Sequence, residues 1–261
     1  MQTLNAETLQ GLLENLYPED SSADSEQLSS QLLQILRGAS ANDDPPGATD
    51  LWSGADAVLI TYADTVVEQG VPALRSLRQL LNNRLRPFAE VVHVLPFLTS
   101  TSDGGFAVAS YDRIELRFGD WGDLADLAAG RRLMADLVLN HISASHPWVR
   151  QFLRDEEPGR SCVLEAAPDP CWDQVVRPRS SSLFTQLSGS DGPRQVWTTF
   201  GPDQVDVDWR SPEVLLGFTR LLDRMLRHGS AGSGWMRSGS SGRHRGQAAS
   251  TCQKPIASLR C

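Results

Sequence analysis

The middle of this chain alternates short apolar segments with longer amphipathic ones, and this alternation restricts the possible folds more than any other feature. The apolar segments AVLITY (57–62), VVHVLPF (91–97) and LMADLVLNH (133–141) predict three buried strands. Helical periodicity follows the first two strands, at residues 71–85 and 120–130. Apolar strands that alternate with helices indicate an α/β fold with a parallel sheet covered by helices.

Two further helices are predicted before this region. Apolar residues recur at helical spacing in residues 5–17 and in residues 24–37, and the glycine at 38 ends the second pattern. The next stretch, ASANDDPPGATD, is rich in residues that favour loops. Residues 1–50 are therefore predicted to form a helical appendage with its linker.

A long irregular stretch separates the third strand from the last helix. Residues 142–208 are too long for a simple connection and predict an inserted subdomain. The helix that follows has Ser211 as its N-cap, Pro212 at its first position and Gly229 at its end. Residues 51–229 are then one domain that contains the insertion.

Composition argues against several classes of function. A formal net charge of −8 without a basic cluster argues against a nucleic-acid partner. No apolar run approaches the roughly 18 residues that span a membrane. The start, MQTLNAETLQ, lacks the features of a signal peptide, so we expect a cytoplasmic protein without membrane contact. Without CxxC spacing, the cysteines predict no metal site, and no cofactor is expected.

Polar residues collect where the predicted strands end. His93 lies within the second strand and Asp103 beyond it, and Asn140 and His141 end the third. In parallel α/β folds the functional site lies at the carboxyl ends of the strands. Taken one by one, such residues are weak signals, because a single histidine at the end of a strand is more often a structural residue.

Several segments together resemble one known family. They resemble the sucrose phosphorylase group of glycoside hydrolase family 13, in the α-amylase superfamily. The segments are LITYADT (59–65), VHVLPFLTSTSDGGF (92–106), DLVLNHIS (136–143), VVRPRSSSLFT (175–185) and WTTFGPDQVDVDWRSPEV (197–214).

The resemblance implies the N-terminal part of a (β/α)₈ TIM barrel, with strands 1–3 and an inserted domain, but incomplete. It also implies retaining transfer of glucose from a sucrose-like α-glucoside to inorganic phosphate. In such a reaction an Asp nucleophile forms a glucosyl-enzyme while a Glu protonates the leaving sugar.

The same resemblance assigns roles to individual residues. Asp103 would bind glucose hydroxyls, Phe106 would lie against the sugar ring, and His141 would hydrogen-bond the glucose. On the acceptor side it places Phe200, Gln204 and a phosphate-facing arginine, Arg179. Asp136 and Asn140 would hold the loop geometry, since this group typically works without calcium.

The nucleophile motif of the family, close to IRLDAVG, does not follow Gly229. The chain continues with SAGSGWMRSG, although codons for Trp235 and Met236 allow Leu-Asp-Ala when read one base earlier. Cys252 to Ile256 likewise allow Leu-Pro-Glu-Thr-His in that frame. Residues 230–261 are therefore expected to be a non-native, out-of-frame tail, and the chain an inactive fragment.

Other interpretations stay open at this point. The chain could derive from a family 13 hydrolase of α-glucosides, or be a non-catalytic glucoside-binding remnant. Residues 230–261 could also be a genuine flexible tail. The sequence does not distinguish fructose, fructose phosphate, glycerol and glycerate as the acceptor.

Overall fold

The computed structural model describes residues 5–18, 22–37, 57–86, 90–165, 181–229 and 235–238. The chain divides into two compact units. The first unit contains residues 1–100, 110–137 and 208–237, and the second contains residues 101–109, 138–207 and 238–261.

The described residues form ten strands and seven α-helices. The strands are β1 (Val58–Thr61), β2 (Val91–Val94), β3 (Leu98–Ser100), β4 (Val108–Ile114), β5 (Arg132–Leu137), β6 (His141–Ser143), β7 (Phe184–Gly189), β8 (Gly192–Trp197), β9 (Gln204–Asp206) and β10 (Trp235–Ser238). The helices are α1 (Ala6–Leu16), α2 (Ser22–Arg37), α3 (Ala73–Arg84), α4 (Trp121–Ala128), α5 (Pro147–Phe152), α6 (Gly159–Cys162) and α7 (Pro212–Gly229). None of these helices is both long and apolar enough to cross a membrane.

The first unit is built on a four-stranded sheet in the order β1-β2-β5-β10. β1 pairs with β2 in parallel, and β2 pairs with β5 in parallel. All four residues of the central strand β2 are buried, as expected for a parallel strand covered on both faces.

Helices α3 and α4 follow β1 and the β3–β4 hairpin along the chain. Asp120 caps α4, where its side chain accepts from the Asp123 amide and the Asp123 side chain accepts from the Asp120 amide. Asp123 also accepts from Arg75 of α3 at 2.5 Å, which ties the two helices together. Capping and packing thus reinforce the strand–helix alternation that the sequence predicts.

The two N-terminal helices share a hydrophobic core with α7. The core joins Leu13 and Tyr17 of the first helix region to Leu28 and Leu32 of α2 and to Leu216 of α7. The apolar face of the predicted appendage is therefore used for packing within the first unit.

The second unit is mainly antiparallel. β7 and β8 form a hairpin that pairs Phe184 with Trp197 and Gly189 with Gly192. β6 pairs antiparallel with β9, which sets His141 opposite Asp206 and Ser143 opposite Gln204. This second pairing carries the site described below.

The three predicted strands are present, with shorter ends than predicted. β2 ends at Val94, two residues before Pro96, which has no N–H for the ladder. β5 ends at Leu137, so His141 begins a separate strand. Pro72, which the sequence predicts at the first position of the helix in residues 71–85, is instead the N-cap of α3.

The sheet holds one strand more than the three predicted. β10 lies beside β5, inside the segment 230–261 that the sequence predicts to be a non-native tail. The edge of a sheet offers unpaired N–H and C=O groups to any extended segment, whatever its side chains. A four-residue strand can thus pair there without the residues of the family's fourth strand. The predicted domain boundaries at 50, 142, 208 and 229 stay predictions.

Strand β1 lies at the other edge of this sheet and exposes apolar side chains. Val58 is 43% exposed, Ile60 is 58% exposed and Tyr62, just beyond the strand, is 43% exposed. Alternate residues of a strand share a face, so these three side chains form one patch, here called the β1 patch. An apolar patch on an edge strand favours association with other apolar surfaces.

The chain should therefore bind a hydrophobic dye through the β1 patch. Replacing Val58 and Ile60 by Thr keeps the β-branched shape but removes apolar area, so dye fluorescence should fall by about half or more. Leu116→Thr is the matched control, because Leu116 is 89% exposed and lies outside the patch. Equal losses of fluorescence in both variants would contradict a role for the patch.

Candidate functional site

Five of the six predicted substrate-facing residues lie together in the second unit. Asp103 and Phe106 come from residues 101–109, which are the connection between β3 and β4 together with the first two residues of β4 and are here called the 101–109 loop. His141 and Gln204 begin the paired strands β6 and β9, and Phe200 lies just before β9. The antiparallel pairing of two very short strands thus brings together residues that are 63 positions apart in the sequence.

The amide nitrogen of Gln204 connects the two polar side chains of the cluster. Gln204 Nε2 donates to Asp103 Oδ2 at 2.9 Å and lies 3.1 Å from His141 Nε2. Gln204 and His141 are 4% and 3% exposed, whereas Asp103 is exposed. The cluster therefore has a buried floor and a solvent-facing carboxylate.

His141 Nε2 has two neighbours that demand opposite roles from it. The nitrogen lies 3.1 Å from Gln204 Nε2, which can only donate, and 3.1 Å from the Phe106 carbonyl, which can only accept. A neutral imidazole nitrogen either carries a proton or accepts one. His141 Nε2 can thus satisfy one of these two contacts at a time.

Aromatic rings border the polar cluster. The Phe200 ring lies 4.7 Å from the His141 ring, between centroids, at an interplanar angle of 46°. Phe200 is buried and Phe106 is half-buried. Carboxylate, imidazole and amide groups beside aromatic rings can bind a polyhydroxylated ring, since each hydroxyl both donates and accepts while the C–H faces pack on the aromatics.

The backbone of the loop is turned sharply at Asp103. Asp103 has φ 54° and Gly104 has φ 62°, both in the left-handed region. Asp tolerates this conformation better than most non-glycine residues, at a cost of about 1 kcal/mol. The surrounding structure must therefore hold the turn that aims the Asp103 carboxylate at Gln204.

Asp203 is a residue that the sequence analysis missed. Its carboxylate accepts from Ser102 and Thr101 of the loop at 2.6 Å each, and from the Ala144 amide and the Ser143 hydroxyl at 3.2 Å each. Burial alone would raise the pKa of Asp203, but these hydrogen bonds outweigh it and hold the pKa below its usual value. The contribution of ionised Asp203 to the stability of the fold is present above the ordinary pKa of a carboxyl. It is lost as the pH falls through the lowered pKa of Asp203 in the folded chain.

The remaining predicted residues lie elsewhere or outside the described residues. His93 and Asp136 contact each other at 3.2 Å within the first unit, where both are buried, so they pair adjacent strands. The Asn140 carbonyl accepts from the Val207 amide at 3.2 Å and supports the β6–β9 pairing. Arg179 lies outside the described residues. Among the residues that are described, no three His, Cys, Asp or Glu side chains group as a metal site would require.

Residues 89–235, more than half of the chain, match the protein family described as "Alpha amylase, catalytic domain". The chain is also similar to curated phosphorylases. It is 39% identical over 233 residues to a glucosylglycerate phosphorylase of Allomeiothermus silvanus, covering 88% of this chain and 40% of the relative. It is 33% identical over 178 residues to a sucrose phosphorylase of Agrobacterium vitis, covering 64% of this chain and 36% of the relative.

Among solved structures, the chain is similar to sucrose 6F-phosphate phosphorylase from Thermoanaerobacter thermosaccharolyticum. The TM-score is 0.63 at 24% identity, and the match covers 70% of this chain and 40% of that one. The predicted partial (β/α)₈ fold and the predicted resemblance to the sucrose phosphorylase group are confirmed. The chain spans about 40% of the length of the curated relatives it matches.

The hydrogen bonds of Gln204 should contribute measurably to stability. Replacing Gln204 by Leu removes the donor between Asp103 and His141 and should lower the free energy of unfolding by about 1–3 kcal/mol. Gln186→Leu is the matched control, since Gln186 is exposed on β7, and it should change stability by less than about 0.5 kcal/mol. Urea denaturation followed by circular dichroism measures both variants. Equal stabilities would show that the Gln204 contacts are not maintained in solution.

Proposed function

The chain belongs to the alpha-amylase catalytic-domain family, and on this basis we propose that it is part of a retaining α-glucoside phosphorylase. Such an enzyme transfers glucose from a sucrose-like glucoside to inorganic phosphate through a glucosyl-enzyme intermediate. The relatives described above are named as phosphorylases of glucosylglycerate, sucrose and sucrose 6F-phosphate, which supports phosphate as the second substrate.

The cluster of Asp103, His141 and Gln204 is the observation that carries this proposal. Gln204 Nε2 bridges the Asp103 carboxylate and the His141 imidazole at 2.9 and 3.1 Å. A sugar hydroxyl in place of that nitrogen would donate to Asp103 and accept from a protonated His141 Nε2. Neighbouring hydroxyls of glucose would then meet one acceptor and one donor, with Phe106 against the ring.

The acceptor side of the proposed site takes Phe200, Gln204 and Arg179. A guanidinium group is planar and always charged, so Arg179 would suit a phosphate that replaces the departing sugar. The Phe200 ring lies 4.7 Å from the His141 ring, between centroids, and this contact supports a role for Phe200 beside the proposed site. Gln204 would contact both the glucose and the acceptor, since its side-chain amide has a second N–H donor and a carbonyl acceptor.

We also propose that the chain itself does not catalyse the reaction. The sequence after Gly229 lacks the family's nucleophile motif, and the family match ends at residue 235. Read one base earlier, the codons for Trp235 and Met236 would allow Leu-Asp-Ala. The cluster nevertheless forms from residues that the chain retains, so binding of a glucoside without turnover is the second candidate function.

The coding sequence should reveal the shifted frame. Across codons 225–261 we expect the frame that begins one base earlier to encode a motif close to Ile-Arg-Leu-Asp-Ala-Val-Gly. The same frame should encode Leu-Pro-Glu-Thr-His at codons 252–256 and stay open beyond codon 261. Stop codons soon after the shift, or no amylase-like sequence beyond it, would overturn the proposed frameshift.

A protein with the restored frame should consume an α-glucoside when phosphate is supplied and release glucose 1-phosphate. Asp103→Asn should lower kcat/KM by roughly tenfold to a hundredfold, because one charge-assisted hydrogen bond to the sugar is lost. Glu165→Gln is the control: Glu165 pairs with Arg194 at 2.6 Å, away from the cluster, and should leave kcat/KM within about twofold. Glucose release that does not depend on phosphate would favour a hydrolase instead.

A further inference from the structure

The hydrogen bonds of Asp203 cross three chain segments that supply the candidate site. Asp203 immediately precedes Gln204 of β9. Its Oδ2 accepts from the hydroxyls of Thr101 and Ser102 in the 101–109 loop, both at 2.6 Å. Its Oδ1 accepts at 3.2 Å from the amide of Ala144, just after β6.

We propose that Asp203 is a positioning residue, which fixes the 101–109 loop on β6 and β9 and thereby sets Asp103 and Phe106 against His141. Any effect of Asp203 on catalysis rests on the proposed function. Its effect on the placement of the loop does not, because that placement can be measured without substrate.

The chemistry of the surrounding groups favours a fixed, ionised carboxylate at this position. A carboxylate only accepts, and all four of its neighbours are able to donate. Thr101 Oγ1 also lies 2.6 Å from Ser143 Oγ, and Ser143 accepts from the Ser145 amide at 3.0 Å. When Ser143 donates to Thr101 and Thr101 donates to Asp203, each hydroxyl proton is used once, and Asp203 accepts from Thr101, Ser102 and the Ala144 amide. The Ser143 hydroxyl, 3.2 Å from Oδ1, can donate to Asp203 only in place of its bond to Thr101.

The anchored residues come directly before the strained turn. Thr101 and Ser102 precede Asp103, whose φ of 54° must be maintained by its surroundings. Beyond the turn, the Phe106 carbonyl lies 3.1 Å from His141 Nε2. Loss of the anchor would therefore allow the turn to relax, and both the Asp103 carboxylate and the Phe106 carbonyl would move away from His141.

Asp203→Asn in the full chain tests this inference. Asn has nearly the same shape, but it has no charge and its NH₂ group cannot accept from the loop hydroxyls. Amide exchange in peptides of residues 101–109 should become about tenfold faster or more, as expected when a charge-assisted hydrogen bond is lost. Exchange at C2–H of the His141 ring should also become faster. Both are measured by mass spectrometry.

Glu165→Gln is the matched control for the loss of a charge. Glu165 lies in the same unit and accepts from Arg194 at 2.9 and 2.6 Å, with neither bond to the loop. In this variant, amide exchange in the loop and C2–H exchange of His141 should proceed at the same rates as in the parent chain. Unchanged rates in Asp203→Asn, with the control behaving as expected, would overturn the inference.

Ser102→Ala keeps the test decisive if Asp203→Asn loses its fold. Peptides of the β7–β8 hairpin, residues 184–197, report that loss. Ser102→Ala removes one hydroxyl donor to Oδ2 and should move both readouts in the same direction by a smaller factor. If it moves neither, the inference is wrong. Faster loop and His141 exchange in a chain that binds no glucoside would support the inference while removing glucoside binding by this chain, the second candidate function.

Discussion

Backbone pairing at strand edges is the constraint on which the rest of this structure depends. β2 is satisfied on both sides by β1 and β5, and its four residues are buried. At the other side of β5 the same requirement for partners is met by β10. In the second unit, the pairing of β6 with β9 assembles the candidate site. Hydrogen bonding of the main chain thus joins segments that are far apart in the sequence.

The elements that could be predicted are those with strong local signals. α4 has an N-terminal Asp with a second Asp three residues later, and α7 has Pro at its first position with a broad apolar stripe. The β5–β10 pairing could not be predicted, because no periodicity marks Trp235–Ser238 as a strand. Its formation reflects an available edge, and that is a property of the folded sheet rather than of the local sequence.

The candidate site was only partly visible in the sequence. Family resemblance pointed to Asp103, His141 and Gln204, and the structure brings these together through hydrogen bonds of 2.9 and 3.1 Å. Asp203 gave no signal, because an aspartate beside a proline and a glutamine is typical of a turn. Its importance depends on the hydroxyls of Thr101 and Ser102, about a hundred residues earlier in the chain. Contacts of that separation are set by tertiary structure.

The direct succession of Asp203 and Gln204 has a consequence for how this stretch can vary in length. One residue faces the hydroxyls of the loop, and the next faces Asp103 and His141. Asp203 lies in a turn that the Gln204 backbone amide closes by donating to the Gly201 carbonyl at 2.9 Å, and Gln204 begins β9. Inserting or deleting a single residue here would therefore displace the carboxylate from the loop hydroxyls or the side-chain amide from Asp103 and His141. Sequence changes at Asp203 and Gln204 are therefore restricted to substitutions. The β7–β8 turn, in contrast, can gain or lose residues without disturbing either set of contacts.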